Sequence, residues 1–348
     1  MDALHDFDVI RPRTVAEMLQ ARREHPASRL IGGGTDILVN IRRGIEKPPV
    51  LIETNAVAEL RGIAAEEKQI VVGASVKLAA LAQHPAVKRL YPAIAEAADS
   101  IAGPTHRNMG TVGGNLCLDT RCIFYNQSEW WRGANAHCLK TELGEMCHVA
   151  PKSKGVCFAT FSGDLAPAFL LYGGEIDLAG PGGTRTVALK DFYTGYAKQD
   201  GSTGDGKNYL AIKPGEFVLR VRARNVPGLV SAYDKIRIRK SIEYPVAGVA
   251  AALQRGGGAL ADLRVAFTGT NPRPVLLEGT AALHGKPLTD ATLAALDDLC
   301  RDQLMSMKTT FTPGTYRRRV ATVMAKRLVK RLWDAADRTA WRPSAQSG

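Results

Sequence analysis

The chain is sparing with cysteine, 6 in 348 residues, and it has no apolar run near the roughly 18 residues of a membrane span. Its start, MDALHDFDVIRP, is acidic and carries no apolar core, so it does not read as a secretory signal. Both absences point to a cytoplasmic protein with reduced thiols, which makes disulfides the weakest reading of its cysteines. G-x-S-x-G and H-E-x-x-H are missing, and no nucleophile–base pair is visible. So are G-x-G-x-x-G and G-x-x-x-x-G-K-[ST], which excludes a Rossmann or P-loop label. No internal repeat or low-complexity segment interrupts the chain. Only RPSAQSG, residues 342–348, reads as a disordered tail.

What is present includes a net charge of +12. The basic residues do not interleave with aromatics, which argues against a nucleic-acid partner. They gather in RIRK (237–240) and in YRRRVATVMAKRLVKRLWDAA (316–336). In the second, Val320, Val323, Met324, Leu328 and Leu332 recur at helical spacing, leaving Arg and Lys on the other side. That is a solvated amphipathic helix, or a face that docks an acidic partner.

The opening reads as an α/β unit. Thr14 and Glu17 form a capping box for a helix through about His25, with Val15, Met18 and Leu19 on its buried face. VLIET (50–54) and QIVVGASV (69–76) are strands, and helices follow near 77–84 and 86–99. After a glycine- and cysteine-rich passage, DLAPAFLLYG starts a helix at Asp164, and EIDLAG and EFVLRVRARN are strands. NVPG (225–228) marks a boundary. Beyond it SAYDKIRIR, VAGVAAAL and LRVAFTGT form an antiparallel sheet, with helices near 290–307 and 315–336 on one face.

Three segments suit a nucleotide. IGGGTDI (31–37) sits between a strand and a helix start, where missing side chains and partial positive charge welcome a pyrophosphate. TVGGN (111–115) is a second glycine pair, with Thr111 and Asn115 able to hydrogen-bond a ligand. SGD (162–164) puts a carboxylate at a third helix start, either to accept from ribityl or ribose hydroxyls or simply as an N-cap. Together they suggest a long dinucleotide such as FAD.

The cysteines concentrate in CIFYNQSEWWRGANAHCLKTELGEMCHVAPKSKGVC, where Cys122, Cys138, Cys147 and Cys157 are spaced C-x15-C-x8-C-x9-C. Four thiolates are the complement of a cubane iron–sulfur cluster. Gly133, Gly144 and Gly155 divide the segments and permit close wrapping. Trp130 and Trp131 are candidates for excluding water, or for ordinary core. Structural zinc also takes four ligands but favours C-x2–4-C knuckles. His137 and His148, beside Cys138 and Cys147, keep zinc open. Cys117 reads as packing beside the flavin, Cys300 as core, and His106 as a loop-orienting residue.

IGGGTDI, GPTHRNMGTVGGN, SGDLAPAFLLYGGEIDL and YDKIRIRKSIEYPVAGVAAAL resemble the motifs of FAD-bearing subunits of the xanthine oxidase, or molybdenum hydroxylase, family. The resemblance implies an α/β + α+β fold: two α/β flavin subdomains (PCMH-like, residues 1–60 and 61–225) and an α+β C-terminal domain (229–336). It implies that Leu30, Ile31, Gly32, Gly33, Gly34, Thr35, Asp36 and Ile37 cradle the pyrophosphate. Ile101, Thr111, Val112, Gly113, Gly114 and Asn115 would contact the flavin half, Asp164 the polyol or ribose, and Lys235 the neighbourhood of the ring. The span between Asn115 and Asp164 exceeds the usual family length. That insertion, about 117–158, resembles the one in β subunits of 4-hydroxybenzoyl-CoA reductases, through DTRC, FYNQSEWWR, CLK, CHV and SKGVC. The resemblance implies a [4Fe-4S] cluster on Cys122, Cys138, Cys147 and Cys157. It further implies ferredoxin as donor, a large molybdenum-cofactor subunit, a small [2Fe-2S] subunit, and a dimer of heterotrimers reducing 4-hydroxybenzoyl-CoA to benzoyl-CoA. No nucleic acid and no membrane is expected as partner. The alternative is a conventional FAD subunit whose cysteine loop binds zinc or no metal.

Overall fold

A computed structural model describes residues 4–195, 204–239, 241–305 and 307–340; the expected tail at 342–348 lies outside the described residues. Strands β1 (Asp8–Ile10), β2 (Arg29–Ile31) and β3 (Val50–Glu53) form a parallel sheet in the order β1-β3-β2. The central strand is buried at three successive residues, Val50, Leu51 and Ile52, as expected when both faces are covered. Thr14 caps the helix Val15–Glu24 by accepting the Glu17 N–H at 3.2 Å. The capping box closes one residue early, because the Glu17 carboxylate takes the N–H of Arg13 at 2.6 Å rather than that of Thr14. Met18 is fully buried, with Val15 and Leu19 at the margin of the core.

Strands β4 (Ile63–Ala65), β5 (Gln69–Gly73), β6 (Glu175–Gly180), β7 (Gly183–Ala188) and β8 (Phe217–Arg224) build an antiparallel sheet ordered β4-β5-β8-β6-β7. In central β8, Leu219, Val221 and Ala223 point into the core, and Arg220, Arg222 and Arg224 alternate outward. Asp177 and Glu175 on β6 neutralise those arginines. The helix expected over 86–99 is broken in two, Pro85–Leu90 and Pro92–Ser100. Tyr91 adopts φ −135°, because the ring of Pro92 disfavours a helical residue before it.

Strands β9 (Val230–Ile236), β10 (Ala247–Gly256), β11 (Ala259–Thr268) and β12 (Val275–Leu276) form an antiparallel sheet ordered β12-β11-β10-β9. β10 alternates between two cores: Ala250 and Ala252 join that of the flavin-motif region, while Val249, Ala251 and Leu253 join that under the helices Asp290–Gln303 and Gly314–Ala340. In the long helix Leu328 and Leu332 are buried as patterned, but Val323 and Met324 are only half-buried. Ala321, Ala325 and Val329 take the centre of the contact, since small side chains let the helix approach the alanine-rich β10. Arg317, expected on the solvent side, is 1% exposed and bonds Val246 O at 3.1 Å, Thr309 Oγ1 at 2.8 Å and the Gly269 carbonyl.

The insertion contains one short helix, Glu129–Ala134, capped by Ser128. Its ends are tied where Arg121 and Thr160 exchange backbone hydrogen bonds of 2.7 and 2.9 Å. Among the described residues, no helix is long and apolar enough to cross a membrane.

Candidate functional site: a glycine cradle and a cysteine cavity

Leu30 and Ile31 end β2, and the glycines that follow run against the residues preceding Thr111. A methyl on Gly33 would lie 2.0 Å from the Met109 carbonyl oxygen, and one on Gly32 2.7 Å from Thr111 Oγ1. Two backbone segments meet there, and only glycine permits it. Asn55 and Lys77 fasten the junction: Asn55 Nδ2 donates to Gly32 O at 2.6 Å, and Lys77 Nζ donates to Asn55 Oδ1 at 2.6 Å and Met109 O at 2.9 Å. Neither was singled out from the sequence. The available signal was position, since Asn55 follows the carboxyl end of a parallel strand, where such sheets bind ligands.

Thr35 and Asp36 turn into the helix Ile37–Arg42, which has only six residues. So short a helix contributes little dipole, and Asp36 stands at its N-cap position without capping. The positive charge at this turn comes instead from Arg121, which pairs with Asp36 and lies 4.4 Å over the Tyr244 ring. The Arg121 Nε is buried without a hydrogen-bond partner. The short helix start and the Arg121 guanidinium therefore stand together at the Leu30–Ile37 turn expected to hold the pyrophosphate. The glycine cradle and the unpartnered guanidinium nitrogen together fit a dinucleotide such as FAD.

Thr111 caps the helix Val112–Leu116 through the Gly114 N–H at 3.2 Å, and Asn115 Oδ1 accepts the Leu165 N–H at 3.0 Å. Both side-chain oxygens expected to meet the ligand are thus engaged within the protein. Gly113 packs on Ala74, leaving Gly114 exposed. Ile101 ends the helix Pro92–Ser100, and its carbonyl accepts Arg107 Nη1 at 3.0 Å. Asp164 precedes the helix Leu165–Leu170 but makes no cap. Its carboxylate accepts from Tyr233 Oη at 2.6 Å, and Lys235 Nζ lies 3.1 Å from each oxygen. The structure therefore brings Asp164 and Lys235 together, their side chains 4% and 2% exposed. About one of the carboxylate's roughly four lone-pair positions remains for a hydroxyl. Burial holds the Lys235 ammonium below its ordinary pKa, with Asp164 opposing the shift.

Cys122, Cys138, Cys147 and Cys157 line a single cavity of about 10 Å³ with Phe124, Tyr125, Leu139 and Val149. Backbone N–H groups point at three of the sulfurs: Phe124 at Cys122, Lys140 and Thr141 at Cys138, Ala159 at Cys157. Such donors favour a negative sulfur. As free thiols, burial pushes Cys122 and Cys157 up to about 12 and raises Cys138 as well. Metal binding here must therefore release protons. Gly144 makes close wrapping necessary, for a methyl on it would meet Cys138 O at 2.1 Å, and Gly155 has φ +88°. Nothing about Gly133 requires glycine.

Trp130 is 80% exposed, while Trp131 packs 6.4 Å from Phe124. Successive helical residues lie 100° apart, so the two indoles diverge, Trp131 toward the cavity-lining Phe124 and Trp130 toward solvent. Met305 and Met307 cover Cys147, Val156 and Phe158. His148 Nε2 donates to the His137 carbonyl, which removes that nitrogen as a ligand. Among the described residues no group of three or more His, Cys, Asp or Glu is disposed to hold a metal ion. All six cysteines are unbridged. Cys117 lies outside the cavity, its carbonyl accepting from Tyr209 Oη at 3.2 Å, and Cys300, on the helix Asp290–Gln303, is buried in the C-terminal core.

The three sheets and the glycine turn against Met109 and Thr111 suit a nucleotide-binding protein. Residues 5–223 match the FAD binding domain in molybdopterin dehydrogenase, and residues 231–332 match the CO dehydrogenase flavoprotein C-terminal domain; the chain belongs to this family. It is 29% identical to the aldehyde oxidoreductase FAD-binding subunit PaoB of Escherichia coli, over 92% of this chain and 98% of that one. It is 25% identical to the carbon monoxide dehydrogenase medium chain of Hydrogenophaga pseudoflava, over 94% and 97%. Among solved structures, the carbon monoxide dehydrogenase of Oligotropha carboxidovorans superposes with a TM-score of 0.76 at 24% identity, covering 95% of this chain and 99% of that one.

Proposed function

We propose that this chain is an electron-relay subunit, holding FAD in the glycine cradle and a [4Fe-4S] cluster among Cys122, Cys138, Cys147 and Cys157. Its complex would reduce 4-hydroxybenzoyl-CoA to benzoyl-CoA. Family membership carries the flavin. The observation that carries the cluster is the convergence of four cysteines on one cavity, with N–H donors on three of the sulfurs. Structural zinc also takes four ligands but favours C-x2–4-C pairs, which the spacing of these cysteines does not provide. A cubane has one iron per thiolate and keeps its ligands apart around a centre. The substrate rests on the resemblance of the inserted loop alone.

When bound, FAD exchanges one or two electrons and a cubane one, which couples donors and acceptors of unlike stoichiometry. The chain's own residues supply the setting. Arg121 offers charge at the cradle, Asp164 pairs with Lys235, and Phe124, Tyr125 and Met305 exclude water from the sulfurs. The chain lacks cysteines for further clusters, so a [2Fe-2S] small subunit and a molybdenum-cofactor large subunit are the proposed partners, in a dimer of heterotrimers. The charge of +12 suits an acidic ferredoxin as donor.

A second reading is a conventional FAD subunit whose cysteine loop carries zinc or no metal. The relatives favour it, since they are described as subunits of aldehyde oxidoreductase and carbon monoxide dehydrogenase. Anaerobic purification followed by flavin, iron, sulfide and zinc analysis separates the two. About four irons and four sulfides per chain support the relay. Flavin with zinc, or with no metal, overturns it and leaves the second reading standing.

A further inference from the structure

Lys140 lines the cysteine cavity, yet its side chain is only 6% exposed. Its ammonium donates to Asp119 Oδ1 at 2.6 Å, Thr120 O at 3.0 Å and Thr120 Oγ1 at 2.5 Å. The nitrogen also stands 4.5 Å from the Tyr125 ring centre and 5.8 Å from that of Tyr209. Asp119 and Thr120 belong to the segment that leaves the glycine pair Gly113–Gly114 and enters Cys122. Thr120 is anchored to the Gly206 carbonyl, and neighbouring Asp205 accepts the Cys157 N–H at 2.8 Å. One buried cation therefore touches the wall of the cavity and the strand of chain joining it to the flavin motif.

We propose that Lys140 is a positioning residue that sets the reduction potential of the group held by the four cysteines, with Asp119 opposing it. The inference rests on the cluster reading above. A fixed positive charge in a poorly solvated wall stabilises an added electron, and a carboxylate beside it cancels part of that field. The two residues therefore act with opposite sign, which a purely structural tie would not do. Lys140→Met lowers the potential, Asp119→Asn raises it, and Lys140→Arg keeps it near that of the parent chain.

The test is a redox titration of the cluster signal in the full chain, purified anaerobically, with iron, sulfide and FAD measured for every variant. In Lys140→Met the ratio of reduced to oxidised cluster at a fixed ambient potential falls about tenfold, which is 59 mV for a one-electron couple. In Asp119→Asn it rises. Unmoved potentials, or shifts of the same sign, in variants with full iron overturn the proposal. Should Lys140→Met lose its cluster, Asp119→Asn and Lys140→Arg decide by the same signs. A parent chain without iron shows in the metal assay first, and in that case the cluster reading has failed and this inference falls with it.

Discussion

Replacing Asp164 by asparagine strands the ammonium of Lys235. In the intact chain the pair is almost sealed, 4% and 2% exposed, with Nζ 3.1 Å from both carboxylate oxygens. Removing one member of such a pair costs about 3–5 kcal/mol, because the survivor keeps its desolvation penalty. Asparagine retains an acceptor for the Tyr233 hydroxyl, which puts the expected loss near the lower end, about 3 kcal/mol. Lys235→Met strands the carboxylate instead and costs about as much, while Asp164→Leu with Lys235→Met costs less than either single change. Urea unfolding of the flavin-free chain reads these values from midpoint shifts at constant slope. The pH dependence supplies a second check. Burial already holds Lys235 below its ordinary 10.5, and losing Asp164 removes the charge that opposed the shift. Below 10.5 the unfolded chain then binds more protons than the folded variant, so the stability of Asp164→Asn rises with pH. Its deficit is largest near neutrality and shrinks toward about pH 10. A deficit under about 1 kcal/mol, or one that grows with pH, would refute the reasoning.

Three further outcomes are expected. Gly33→Ala drives a methyl into the Met109 carbonyl at 2.0 Å and parts the two halves of the cradle, weakening FAD about tenfold or more in a flavin-fluorescence titration; unchanged affinity would place FAD elsewhere. Arg317→Met leaves Val246 O, Thr309 Oγ1 and the Gly269 carbonyl without their buried donor, and lowers stability by about 3 kcal/mol in thermal unfolding. Trp130→Ala, at a side chain 80% exposed, changes stability by no more than about 0.5 kcal/mol. It leaves iron and flavin content untouched, and a larger loss would restore this indole to the shield around the cysteines.

Periodicity and glycine placement made most of the architecture legible: the strand and helix order, the antiparallel terminal sheet and the concentration of four cysteines in one loop. What escaped the sequence has specific causes. Alanine carries little weight in an amphipathic pattern, yet Ala321 and Ala325 form the centre of the long helix's contact because β10 opposite is alanine-rich. Arg317 looked like one more surface cation, and only the fold shows carbonyls converging on it. The break at Tyr91 needed the local effect of Pro92 to outweigh an uninterrupted apolar pattern. Asn55, Lys77, Arg121 and Lys140 act through partners 21 to 85 positions away, so no short motif announces them.

The insertion leaves and rejoins the fold within one antiparallel residue pair, Arg121 opposite Thr160. Such a neck makes the intervening residues a cassette. A two-residue turn could bridge the same pair. The same geometry recommends the neck as a grafting point, where a cysteine-ringed pocket could be transplanted into another protein.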